Sequence, residues 1–192
     1  MPLNKKENSE VYEPSDDSFL MSETLKKEIP KFLKDKENIN ALEVGCGEGI
    51  QLQTLYKTGI KKQNILSCDI NPKAVEECKK QGFNSVVSDL FSGIKSKEKF
   101  NIIVFNPPYL PEENSKEPED SKIITTGGKK GGEVINRFLK QSKKHLKEKG
   151  IIFLLTSSLT KNIIWQGLNK ELVNKKSLFF EKLYVWKLYL NN

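Results

Sequence analysis

The stretch Ile39-Asn40-Ala41-Leu42-Glu43-Val44-Gly45-Cys46-Gly47-Glu48-Gly49 decides the fold. Its first half is a short apolar run, which reads as a buried strand when turn residues bound it. Its second half has glycine at every other position, so the backbone can turn tightly and pass close to a ligand. The helix expected to follow, to about Thr58, offers free N–H groups at its start. Outward from this unit the alternation repeats. Asn64 to Cys68 predicts a second strand ending at Asp69, and Pro72 opens a helix to about Gln81, since proline suits a first helical turn. Ser85 to Ser88 predicts a third strand ending at Asp89, Asn101 to Phe105 a fourth ending at Asn106, and Ile151 to Thr156 a fifth. Further helices are expected from Ser15 or Asp16, along the stripe Phe19, Leu20, Leu25 and Ile29, then from Glu133 to Leu146 and over 160–170. Leu183 to Leu190 predicts a last strand, paired near 171–176. Strands alternating with helices imply crossovers and a mostly parallel sheet, an α/β fold.

The 192 residues, 36% hydrophobic, suit one domain with one core over 1–192, with 1–10 frayed and 110–132 a long surface loop on the substrate side. The net charge of +7 is nearly all lysine, because Arg137 is the sole arginine. Phosphate readers favour arginine for its bidentate fork, so nucleic acid is not required by this charge. Cys46, Cys68 and Cys78 lack CxxC spacing and read as buried reduced thiols, and His145 alone cannot build a His-based metal site, so no metal is expected. No apolar run has the length of a membrane span and the start is not a signal peptide, which makes cytoplasmic the expected location.

Ligands of open α/β sheets bind beyond the carboxyl ends of the strands, and the polar candidates fall there. The spacing G-x-G-x-G differs from the G-x-G-x-x-G of a pyrophosphate cradle. Glu43, before that turn, would repel a pyrophosphate but could accept from an ammonium, such as the one on the methionine part of S-adenosylmethionine. Asp69, 20 residues beyond Gly49, is placed to take both ribose hydroxyls. Asp89 could accept from the adenine amino group. Each of these also has a plain structural use, as a turn or a helix cap, and only together do they point to one ligand.

The fourth strand closes in Asn106-Pro107-Pro108-Tyr109. Two prolines freeze the turn, because each fixes φ and lacks an N–H. The Asn106 side-chain carbonyl and the Pro107 backbone carbonyl can then face one point and accept both hydrogens of an NH2 group. Tyr109 offers a flat face for a planar amide or base. Such a grip suits methylation of a weakly nucleophilic nitrogen, because it aims the nitrogen lone pair and stabilises the charge that develops on it.

Taken together, Glu43-Val44-Gly45-Cys46-Gly47, Asp69-Ile70-Asn71-Pro72, Asp89-Leu90 and Asn106-Pro107-Pro108-Tyr109 resemble a class I amino-methyltransferase. Val11-Tyr12-Glu13-Pro14-Ser15-Asp16-Asp17-Ser18-Phe19-Leu20 and Gly127-Gly128-Lys129-Lys130-Gly131-Gly132-Glu133-Val134 narrow this to a resemblance to the HemK/PrmC family, in its Mtq2-like eukaryotic and archaeal branch. The resemblance implies a Rossmann-like sheet of seven strands with helices on both faces. It implies N5-methylation of the glutamine in the Gly-Gly-Gln motif of a class-1 release factor, with S-adenosyl-L-methionine as donor and S-adenosyl-L-homocysteine as product. By motif position Tyr12, Pro14, Ser18, Glu43, Gly45, Cys46, Gly47, Asp69, Ile70, Asp89, Leu90 and Asn106 would contact the cofactor. Asn106, Pro107, Pro108, Tyr109 and Leu110 would hold the glutamine, with Asn106, Pro107 and Tyr109 catalytic. It also implies a Trm112-like zinc-binding activator, paired as a heterodimer along the exposed strand Ser85 to Ser88. Two positions depart from the family pattern: Thr125-Thr126 stand where relatives often carry Trp, and Gly132 where they often carry Arg. Methylation of an adenine or guanine amine, or of another protein target such as lysine, stays open at this level.

Overall fold

The structure, a computed structural model, describes residues 14–32, 39–114 and 125–191. Tyr12 and residues 1–10, expected to fray, lie outside them, as does 115–124 of the expected surface loop. Helix α1 (Asp16–Phe32) leads into β1 (Ala41–Val44). Then α2 (Ile50–Lys57), β2 (Ile65–Asp69), α3 (Pro72–Lys80), β3 (Asn84–Val87) and β4 (Phe100–Phe105) follow. Helix α4 (Glu133–His145), β5 (Leu146–Ser157), β6 (Asn169–Ser177) and β7 (Lys182–Tyr189) complete the chain.

The strands form one seven-stranded sheet in the order β3-β2-β1-β4-β5-β7-β6. Pairings from β3 through β5 are parallel, and β7 runs antiparallel between β5 and β6. Strand β1 is fully buried because both faces of the sheet are covered. One core cluster joins Met21, Leu25, Ile29, Leu52 and Leu55 to one face; a second joins Phe91, Ile135, Phe138 and Leu139 to the other. Strand order reverses between β1 and β4, and the cavity described below lies at that point, as expected of doubly wound sheets.

The helix expected over 160–170 does not form. Asn162 and Gln166 have φ of 62° and 53°, and Gly167 of 69°, which a right-handed helix cannot hold. The apolar residues there dock one side of an irregular segment: Ile163 and Trp165 pack on the second core cluster. Asn136 clamps this segment, its side chain accepting from Ile164 N at 2.7 Å and donating to Asn162 O at 2.9 Å. Strand β6 lies just beyond and pairs with β7 in the region expected.

The ends of the 110–132 loop also differ from a plain surface loop. Leu110 bridges Thr126, and Pro111, Gly127, Gly131 and Gly132 are buried. His145 is structural, its Nδ1–H donating to the Glu98 carbonyl at 2.9 Å and its ring stacking on Phe91. Among the described residues, no helix is long and apolar enough to cross a membrane, and no His, Cys, Asp and Glu cluster is arranged to hold a metal ion.

Candidate active site

A cavity of about 540 Å³ opens at the carboxyl ends of β1, β2 and β4. This is the size range of small-ligand sites, roughly 300–1,000 Å³. It brings together, among the described residues, every expected cofactor and substrate residue: Pro14, Ser18, Glu43, Gly45, Cys46, Gly47, Asp69, Ile70, Asp89, Leu90 and Asn106 through Leu110.

Glycine is required at the turn after β1. Gly45 has φ +68°, and a Cβ there would lie 3.3 Å from the Phe105 ring. The turn is pinned to β2 by Gly45 N and Cys46 N, which both donate to Cys68 O. Cys46 therefore contributes a wall of backbone, while its side chain is buried in the core with Cys78. The hydrogen bond to Cys78, with burial second, pushes the Cys46 thiol far up, and burial does the same to Cys68.

Glu43 is 3% exposed and lies near the Leu52 N–H at the start of α2. Its Oε2 is buried without a hydrogen-bond partner. Burial, and then the nearby Cys46 and Asp69, raise its carboxyl well above the ordinary value of 4.5. An unpartnered buried carboxylate oxygen is costly unless a ligand satisfies it, and a cation is the ligand that would restore its charge. Asp69 is already oriented: Oδ2 accepts from Gly47 N at 3.0 Å and Oδ1 from Asn71 N at 2.9 Å. Each carboxylate oxygen keeps a second lone pair for a ligand hydroxyl. Asp89 meets Arg137 at the rim through Oδ2. Leu90 follows at φ 51°, a conformation costly for a leucine and held by its carbonyl accepting from Cys68 Sγ and Ser88 Oγ. These features fit S-adenosylmethionine: an orphan carboxylate oxygen for its ammonium, a fixed carboxylate for its ribose, and a partly apolar end beside Asp89 and Leu90.

Asn106 Oδ1 is the second orphan, buried without a partner in the same cavity. The loop that carries it is clamped from behind. Leu110 N donates to Thr125 O and Gly127 N to Leu110 O, both at 3.0 Å. A Cβ on Gly127 would fall 2.6 Å from Pro108 O, and one on Gly131 2.3 Å from Tyr109 O. The glycine segment before α4 is therefore a backbone rest for Pro108 and Tyr109. A side chain at Gly132 would meet Lys161 O at 2.4 Å, so only glycine fits there in this arrangement.

Several residues here were not assigned to the site from sequence. Asp17, buried, accepts from Ser15 Oγ, Ser18 N and, at 3.4 Å, the Tyr109 hydroxyl. Gln51 ties α2 to α1 through Ser18 O and Ser22 Oγ. Thr125 lines the cavity with a buried, unpartnered hydroxyl. Thr160 Oγ1 donates to Tyr109 O at 3.1 Å. Thr125 carried a signal as a departure from the family pattern, and Arg137 as the sole arginine of the chain.

The profile of the methyltransferase small domain matches residues 18–179. A Methanocaldococcus jannaschii protein, provisionally described as a protein N5-glutamine methyltransferase, is 38% identical over 90% of this chain and 82% of its own length. The human methyltransferase HEMK2 is 31% identical over 77% of this chain and 72% of its own length. Among solved structures, the E. cuniculi Mtq2–Trm112 complex, described as responsible for methylation of the eRF1 translation termination factor, is similar at a TM-score of 0.72. There the identity is 25%, over 95% of this chain and 100% of that one. With the cavity and its two orphan acceptors, these matches lead to one conclusion: the chain belongs to the methyltransferase small domain family, among the S-adenosylmethionine-dependent protein N5-glutamine methyltransferases.

Proposed function

We propose that this protein methylates the side-chain nitrogen of the glutamine in the Gly-Gly-Gln motif of a class-1 release factor, giving N5-methylglutamine. The observation that supports it most directly is Asn106 Oδ1, buried and unpartnered in the cavity beside Pro107, Pro108 and Tyr109. S-adenosylmethionine, when bound, supplies an electrophilic methyl on a positive sulfonium. Glu43 Oε2 accepts from its ammonium, Asp69 from its ribose hydroxyls, and Asp89 from its adenine edge. Asn106 Oδ1 and the Pro107 carbonyl accept from the two hydrogens of the glutamine amide. That grip fixes the amide plane and points the nitrogen lone pair across the cavity, where alignment lowers the barrier. The same two oxygens stabilise the nitrogen as it becomes positive. Tyr109, held by Asp17 and Thr160, covers the amide face.

The assembly belongs to the proposal as well. Strand β3 is a sheet edge with Val87 54% exposed, a natural site for strand addition. A Trm112-like zinc-binding activator would pair there, in a cytoplasmic heterodimer.

The test is mass spectrometry of a Gly-Gly-Gln release-factor domain incubated with the enzyme, donor and a Trm112-type partner. One added methyl on that glutamine supports the reading. Unmodified protein beside methylated RNA or DNA, or a methyl on lysine instead, overturns it.

A further inference from the structure

The β6–β7 hairpin ends in a feature the fold does not need. Ser177 pairs with Lys182, and Leu178 N donates to Glu181 O at 2.8 Å, so Phe179 and Phe180 are the two residues of the turn. Two-residue turns ordinarily take Asn-Gly or similar pairs. Here they hold phenylalanines that are 93% and 86% exposed. The rings meet edge to face at 4.8 Å, which leaves their outer faces to solvent. Single exposed apolar residues need no explanation, whereas a paired aromatic tip marks a contact surface.

Its position says with what. Leu183 pairs with Ser157, so the tip stands at the carboxyl end of β5, the same end of the sheet as the cavity. Hydrogen bonds connect the two: Ser157 Oγ donates to Glu181 Oε2 at 2.6 Å, Ser157 N to Thr160 Oγ1 at 3.2 Å, and Thr160 Oγ1 to Tyr109 O at 3.1 Å. Whatever rests on the tip is therefore in register with the loop that would grip the amide. Exposed Lys175 and Lys182 flank the aromatics, and Lys176 pairs with Asp16 beside them. The β3 edge lies at the far end of the sheet, six strand gaps or roughly 29 Å away. A partner there leaves the tip free.

We propose that Phe179 and Phe180 dock the folded body of the methylated protein, by entering an apolar pocket rimmed with acidic side chains. An aromatic anchor with a charged rim is the usual anatomy of such contacts. The proposal rests on the function argued above. Its occupant is the protein that presents the glutamine, because a lone side chain in the cavity gives little area to tell one protein from another.

The test compares two substrates, a folded Gly-Gly-Gln release-factor domain and a short peptide with the same motif, on wild type and on Phe179→Ser/Phe180→Ser, each with donor and its Trm112-type partner. The expected result is a KM for the domain raised about tenfold or more, with kcat within about twofold and the peptide kcat/KM unchanged. Phe179→Leu/Phe180→Leu should recover most of the loss, which separates lost apolar contact from a disturbed hairpin. An unchanged KM for the domain overturns the docking role alone, as does an equal loss on domain and peptide, or loss of binding to anionic vesicles or RNA with domain kinetics intact. Wild type that methylates neither substrate overturns the function and the docking role together.

Discussion

Asn106 and Glu43 each hold one buried oxygen that the protein itself does not satisfy. Asn106→Ala removes an acceptor that matters most as the amide nitrogen becomes positive. Loss of one such group typically costs about 10²–10³ in kcat. S-adenosylhomocysteine binding, read by calorimetry, should change little in that variant, while single-turnover methylation collapses. Glu43 makes a pH prediction. Burial raises its folded value, so the empty protein holds this proton more tightly than the unfolded chain. The stability that proton contributes is present at acid pH and lost as pH rises through the raised value. A bound ammonium favours the ionised form instead. The Kd for S-adenosylhomocysteine should therefore fall as pH rises from the ordinary carboxylate range through that value, then level off. In Glu43→Gln the Kd should be weaker and flat over the same range. The acids at strand ends and Asn106 were legible in sequence because strand ends and short motifs announce themselves. Asp17, Gln51 and Thr160 were not: the packing of α1 on α2 brings Asp17 and Gln51 to the cavity wall, and Thr160 acts through Tyr109 O, all contacts remote in sequence.

Elements show a similar division. Strands β1, β2, β4 and β5 each hold a mostly apolar stretch that was visible as such, although β5 starts at Leu146, ahead of the expected Ile151, through the polar Lys147-Glu148-Lys149. Strand β6 (Asn-Lys-Glu-Leu-Val-Asn-Lys-Lys-Ser) is exposed along most of its length and carries no alternation to read. The 160–170 stretch reads as a helix because Ile163, Ile164 and Trp165 cluster. Its left-handed Asn162 and Gln166 are held from α4, where the Asn136 amide donates to Asn162 O and Lys143 Nζ to Gln166 O. The edge β3 makes a prediction at this scale. Ser88 N points inward to Asp69 O, so by strand alternation the Val87 N–H points outward. Val87→Pro deletes that donor without breaking the β2 ladder, and edge strands tolerate proline in such places. The expected outcome is loss of co-purification with a Trm112-type partner, with the melting temperature of the isolated chain changed by a few degrees at most.

For the whole molecule, a mostly parallel sheet followed from the alternation and its seven strands from the family resemblance, whereas the strand order and the reversed β7 had to be seen in the pairing. The buried orphan acceptors make the empty fold less stable than the filled one. A ligand at about 100 times its Kd adds about 2.7 kcal/mol. For a chain of this length that corresponds to about 5–11 °C in melting temperature, which differential scanning calorimetry with S-adenosylhomocysteine should show. A shift of less than about 2 °C at that concentration would mean the cavity is not the binding site.

The reversal of strand order between β1 and β4 divides the molecule's labour. Glu43, Asp69 and Asp89 belong to strands wound one way from that seam; Asn106, Thr160 and the aromatic tip belong to those wound the other way. In the function proposed above, one side of that seam serves the methyl donor and the other serves the protein that receives the methyl.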